Sequence, residues 1–225
     1  MGNSIFAKGT VRIITIYKKW YRKRKGRNSY HNESAARRDL DGFDFSGQKV
    51  LDAGCGIGYH TYIISEAAKS VVGVDVNEES LLQAKELAAS KAGFVRCDLD
   101  FLPFKDNSFD RCISIVVMPY VNEEKALTEI SRVLKDHGLL LVKHNSKEFL
   151  GKIWHKNLSK WLLGSLMPKL KRQKDYLYQL KLTTAFDERF ISLAEHAGLR
   201  PLKQEAVDNF FIKAIFIKKP KTFKS

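Results

Sequence analysis

Asp52, Gly54, Gly56 and Gly58 crowd into nine residues, VLDAGCGIG at 50–58, where a run of strand-forming residues meets three alternating glycines and then a helical pattern. Glycines at such a bend let the backbone turn sharply and come within reach of a ligand that any side chain would hold off. A second acidic position follows at the end of VVGVD, where Asp75 lies 23 residues beyond Asp52. A carboxylate at that strand end can accept hydrogen bonds from both hydroxyls of a ribose. Together they describe a nucleoside site.

A dinucleotide fingerprint would need a third glycine three positions after Gly56, and Tyr59 stands there. The spacing is G-x-G-x-G, suited to a nucleoside without a pyrophosphate, which argues against hydride transfer. His144 is the candidate for proton transfer and Tyr120 a comparable catalytic-site candidate for lining the acceptor pocket, since each follows a predicted strand at the carboxyl edge where open α/β sheets bind ligands. His60 and His137 read as a helix-turn residue and a loop residue. Cys55, Cys97 and Cys112 lack metal-ligand spacing and lie in or beside apolar runs. They are expected to be reduced structural thiols, with neither disulfide nor metal site.

Short apolar runs alternating with helical patterns from Lys49 onward predict βαβ units and a parallel sheet. Strands are expected at 49–53, 71–75, 93–97, 111–117 and 139–143, and helices over Tyr59–Lys69, Glu78–Lys91 and Glu123–His137. Asn77 and Asn122 are the predicted caps of the last two. A helix over Asp187–Ala197, closed by Gly198, precedes two strand-like runs near 200–205 and 210–218 that can form a closing hairpin. One domain over 41–225 is expected, with a basic helical extension at 1–40 and an insert at about 146–184.

These residues resemble class I S-adenosylmethionine-dependent methyltransferases, particularly the small-molecule type 11 group, over residues 49–143. The resemblance implies a Rossmann-like α/β fold with a seven-stranded, mostly parallel sheet, helices on both faces and an antiparallel closing hairpin. It implies S-adenosylmethionine as cofactor and S-adenosylhomocysteine as product. On that resemblance Asp52, Gly54, Gly56 and Gly58 lie against the methionine and ribose, and Asp75 takes the ribose hydroxyls. Val76 lines the adenine, while Asp98 and Leu99 in CDLDFLPFKDNSFD recognise its amino group and ring edge. Arg132 to Gly138, RVLKDHG, resembles the family's RVLKPGG with two substitutions in a turn. VVMPYV at the end of strand four departs from the Asn-Pro-Pro-aromatic pattern of enzymes that methylate base amino groups.

The acceptor is less defined. Net charge is +14, with eleven Lys/Arg in residues 1–40 and ten in 143–184, whereas residues 41–142 carry ten bases and sixteen acids. In the insert, Leu150, Ile153, Trp154, Leu158, Trp161 and Leu162 recur at helical spacing opposite Lys152, Lys156 and Lys160. Such a basic amphipathic helix serves as a lid over an acceptor pocket or as a contact with a membrane surface. Ile13, Ile16, Tyr17 and Trp20 near the amino terminus form a similar face. The expectation is an enzyme of the cytoplasm, or of the membrane periphery, that methylates a small, hydrophobic or lipid-linked acceptor. RNA methylation through the basic fringe, and a catalytically idle cofactor-binding module, remain open. Oligomeric state is not readable, and no run approaches the roughly 20 apolar residues of a membrane-spanning helix.

Overall fold

A computed structural model describes residues 33–88, 91–145, 188–206 and 211–220. The amino-terminal amphipathic run and the insert with its tryptophans lie outside the described residues. The elements are α1 (Glu33–Leu40), β1 (Lys49–Ala53), α2 (Tyr59–Ile64), β2 (Ser70–Asp75), α3 (Glu78–Ala88), β3 (Gly93–Arg96) and β4 (Phe109–Ile115). A 3-10 turn (Met118–Tyr120), α4 (Glu123–Val133), β5 (Leu134–Asn145), α5 (Glu188–His196), β6 (Leu199–Ala206) and β7 (Phe211–Lys218) follow.

The seven strands form one sheet in the order β3-β2-β1-β4-β5-β7-β6. The first five run parallel, and β7 inserts antiparallel between β5 and β6. Strand order reverses between β1 and β4, so the crevice for a ligand opens at the carboxyl ends of those two strands. This is the expected α/β architecture with its closing hairpin.

Alternation along each strand divides the core into two layers. Val50, Val71, Ile113 and Leu141 point to one face, where they meet Leu40 of α1 and Ile64 of α2. Their neighbours Leu51, Cys112, Leu140 and Val142 point to the other and pack against Leu127 and Ile130 of α4 and Phe190 and Ala194 of α5. In α4, Ala126, Leu127, Ile130 and Val133 are fully buried. Their i, i+1, i+4, i+7 spacing is a helical stripe, and each of the larger side chains contributes about 1.5–3 kcal/mol by leaving water. Both predicted caps form: Ser80 N donates to Asn77 Oδ1 at 3.0 Å, and Lys125 N to Asn122 Oδ1 at 3.2 Å.

Among the boundaries that differ from the sequence expectation, three bear on the site. The helix after the glycines ends at Ile64, because residues 67–69 engage the approach to β1: Gly47 N donates to Ala67 O and Lys69 N to Gln48 O. The helix from Glu123 stops at Val133, four residues early, since its last carbonyls are taken from outside. Asn107 N donates to Arg132 O at 3.0 Å and Ser108 N to Val133 O at 2.7 Å, and Leu134 then pairs with Phe109 as strand. β4 ends at Ile115 instead of residue 117, because Val116 turns into the left-handed region at φ 59°. A β-branched residue is strained there by about 1–3 kcal/mol.

Candidate functional site

The glycine turn folds back on the end of β2. Gly54 N and Cys55 N both donate to Val74 O, at 2.8 and 2.9 Å, and Gly58 N to Cys55 O at 3.0 Å. Gly54, Gly56 and Gly58 have φ of 84°, 53° and 85°. Gly54 and Gly58 are also sterically required: a Cβ on the first would lie 2.4 Å from Val117 Cγ2, and on the second 2.8 Å from Ala84 Cβ. Thus the turn is clamped between the β4 exit and α3.

Asp75 is held by backbone amides on both oxygens. Gly56 N donates to Oδ2 at 2.9 Å, and Asn77 N to Oδ1 at 2.8 Å. A carboxylate has about four acceptor positions, so each oxygen keeps one for a further donor such as a ribose hydroxyl. Val76, the next residue, is 58% exposed. Asp98 is exposed at the end of β3, with Oδ1 accepting from Asp100 N at 3.0 Å. Leu99 points its side chain into the core. Asp52 is buried, and its Oδ2 accepts from Thr61 Oγ1 at 2.6 Å. Burial pushes this carboxyl above the ordinary range, outweighing the nearby His60 and the Thr61 hydroxyl. The turn and Asp75 therefore stand together at the carboxyl ends of β1 and β2, with Asp52 buried behind them and Val76 and Asp98 past the ends of β2 and β3. They fit an adenosyl group: a wall without Cβ atoms beside a carboxylate with acceptor positions to spare.

The proton-transfer candidate and the pocket-lining candidate separate. Tyr120, in the 3-10 turn after β4, is 55% exposed at the carboxyl edge. His144 belongs to β5 instead of a loop, is 2% exposed, and packs edge-on against Phe190 with ring centres 6.0 Å apart. His60, in the first turn of α2, is half-buried with Nε2 3.1 Å from Asp39 Oδ2. Cys55 and Cys112 are buried free thiols, and Cys97 is partly buried.

Sequence reasoning missed the group that shapes the loop between β3 and β4. Arg132 donates from Nη2 to Leu102 O at 2.9 Å, and from Nη1 to Phe104 O and to Asp106 Oδ1, both at 2.8 Å. Glu129, bonded to Arg132 at 2.7 Å, accepts from Leu102 N at 2.8 Å. The arginine of RVLKDHG thereby pins the loop that carries Asp98 and Leu99. Its position in the motif was the available signal.

Comparison with known proteins agrees with this geometry. Residues 51–142 match the methyltransferase domain family Methyltransf_11. A malonyl-[acyl-carrier protein] O-methyltransferase of Erwinia billingiae is 38% identical over 96 residues, 42% of this chain and 38% of that protein. The match thus spans less than half of that relative's length. Among solved structures, a TehB-like SAM-dependent methyltransferase from Corynebacterium glutamicum superposes with a TM-score of 0.62 at 21% identity, covering 91% of this chain and 97% of that one. The [4+2]-cyclase SpnF superposes at 0.61 with 17% identity, each chain covered to 86%. At such identities the likeness shows the fold, and the fold serves more than one chemistry.

Proposed function

We propose that this chain, which carries an S-adenosylmethionine-dependent methyltransferase domain of the type 11 family, methylates a small acceptor of hydrophobic or lipid-linked character. The observation that carries the donor half is the Asp75 carboxylate, fixed by Gly56 and Asn77 amides beside the glycine turn. S-Adenosylmethionine supplies, when bound, a methyl group on a positively charged sulfur. Gly54, Gly56 and Gly58 give the donor a wall free of side chains, and Asp75 orients its ribose. Val76 and the loop at Asp98 and Leu99 flank the base, with Arg132 holding that loop in place.

For the acceptor, the support is the apolar character of the carboxyl edge. Phe101 and Tyr120 follow β3 and β4 and are 75% and 55% exposed. Relatives whose names specify an acyl-carrier-linked acceptor point the same way. Methyl transfer between aligned groups draws most of its acceleration from positioning and exclusion of water. A base is needed only where the acceptor must lose its proton. Tyr120, exposed after β4, is the candidate to meet the acceptor, and His144 is buried at the end of the neighbouring β5. Among the described residues no helix is long and apolar enough to cross a membrane.

Incubating the full chain with isotopically methyl-labelled S-adenosylmethionine and separated lipid, small-molecule and RNA fractions tests this reading. Label is expected in a lipid or small-molecule product identified by mass spectrometry. Label confined to RNA would overturn the acceptor assignment. Donor binding without transfer to any fraction would point to an idle binding module.

A further inference from the structure

The donor turn is tied by Asp52 and Asp75 within the site and by one further side-chain bond that reaches it from outside. Three glycines in five positions give the turn the largest conformational entropy to lose. The helix it leads into, α2, has six residues and no side-chain cap at its start, too short to hold itself. Two side-chain bonds leave its first turn. Thr61 donates to Asp52 at 2.6 Å, which ties α2 to β1, and His60 bonds Asp39 of α1 at 3.1 Å.

Asp39 is an unusual anchor. It is 6% exposed, and its other oxygen accepts from Nζ of Lys143, a β5 residue 4% exposed whose ammonium also lies 4.1 Å from the centre of the Phe211 ring. The neighbouring Lys213 of β7 donates to Asp41 O, just past the end of α1, at 2.9 Å. Two inward-pointing lysines thus hold the carboxyl end of α1 on the sheet, where cations favour the helix dipole. A buried ion pair returns little net stability after desolvation, so stability alone is a poor reason for one here.

We propose that Asp39, backed by Lys143, is a positioning residue for the donor site: through His60 it fixes the first turn of α2 and so preorganises the glycine turn, making α1 a working part of the site. The inference rests on the donor reading above. A site ordered before binding loses less freedom on binding, and the gain appears as affinity.

The test uses the full chain with S-adenosylhomocysteine as probe, measured by calorimetry, with hydrogen exchange at amides 54–62. His60→Ala leaves the Asp39–Lys143 pair intact. It is expected to melt near wild type, to bind the probe roughly tenfold more weakly and to exchange faster in that window. His60→Gln, which can still donate to Asp39, restores affinity to within about threefold. Asp39→Leu with Lys143→Met removes the charges together and keeps apolar packing, so it is expected to fold and to share the His60→Ala defect. The inference is overturned if either variant binds the probe as wild type does, or if affinity falls only in proportion to lost stability. Failure of wild type to bind the probe would instead sink the donor reading.

Discussion

Gly54→Ala isolates the contact on which the donor crevice depends. The added Cβ meets two penalties. At φ 84° an L side chain is strained by about 1–2 kcal/mol. It would also lie 2.4 and 2.8 Å from the two methyls of Val117, an overpacking that costs about a further 1–3 kcal/mol. Gly47→Ala is the internal control, since Gly47 has φ 67° and nothing within 4 Å of an added Cβ. Both variants share the backbone penalty, and only Gly54→Ala pushes on Val117. In a chain of this size each kcal/mol moves the melting temperature by about 2–4 °C. Gly54→Ala should therefore melt roughly 2–12 °C below Gly47→Ala in scanning calorimetry. Val117→Ala should recover part of that difference, so the double-mutant cycle is non-additive. Equal melting of the two alanine variants, or an additive cycle, would refute the clamp between the glycine turn and the β4 exit.

Other predictions follow from the polar groups. Arg132→Leu strands the carbonyls of Leu102 and Phe104 and the Glu129 carboxylate, and should lower stability by about 2–4 kcal/mol in urea titration and open the 99–107 loop to protease. The Arg132 guanidinium holds the Glu129 carboxyl below the usual carboxylate range, so its contribution is present above the ordinary value of about 4.3 and is lost as pH falls through the lower folded one. The stability gap between wild type and Glu129→Gln should thus be widest near pH 7 and close as pH falls below the ordinary carboxylate range, whereas a gap unchanged by acid would contradict the pairing. Burial, joined by the Asp98 and Asp75 charges, pushes the Cys97 thiol up to about 11, and burial raises Cys55 and Cys112 further. Ellman's reagent should accordingly label the folded chain slowly at pH 8, and a rapid burst from any thiol would count against these environments.

Much of this fold was legible because its signals are local. Short apolar runs marked the strands, Asn77 and Asn122 marked helix starts, and the glycines marked the tight turn that Asp75 holds. What escaped depends on partners remote in sequence. Nothing around His60 announces Asp39, 21 residues earlier, and Lys143 lies 104 residues from the same carboxylate. The early end of α4 reflects capture of its carbonyls by Asn107 and Ser108, which periodicity within the helix cannot report. Val116 reads as one more strand residue, and only its φ of 59° shows that the chain turns there to lay Val117 on Gly54. His144 looked accessible as a polar residue after a strand, yet β5 runs on to Asn145 and carries the ring into the layer of Phe190.

A crystal structure of the full chain with S-adenosylhomocysteine tests the donor site most directly. Both ribose hydroxyls are predicted to lie within about 3 Å of the Asp75 carboxylate, with the nucleoside against Gly54 and Gly56 and the base beside Val76. A ribose bound elsewhere, or no ligand in the crevice at saturating concentration, would contradict it.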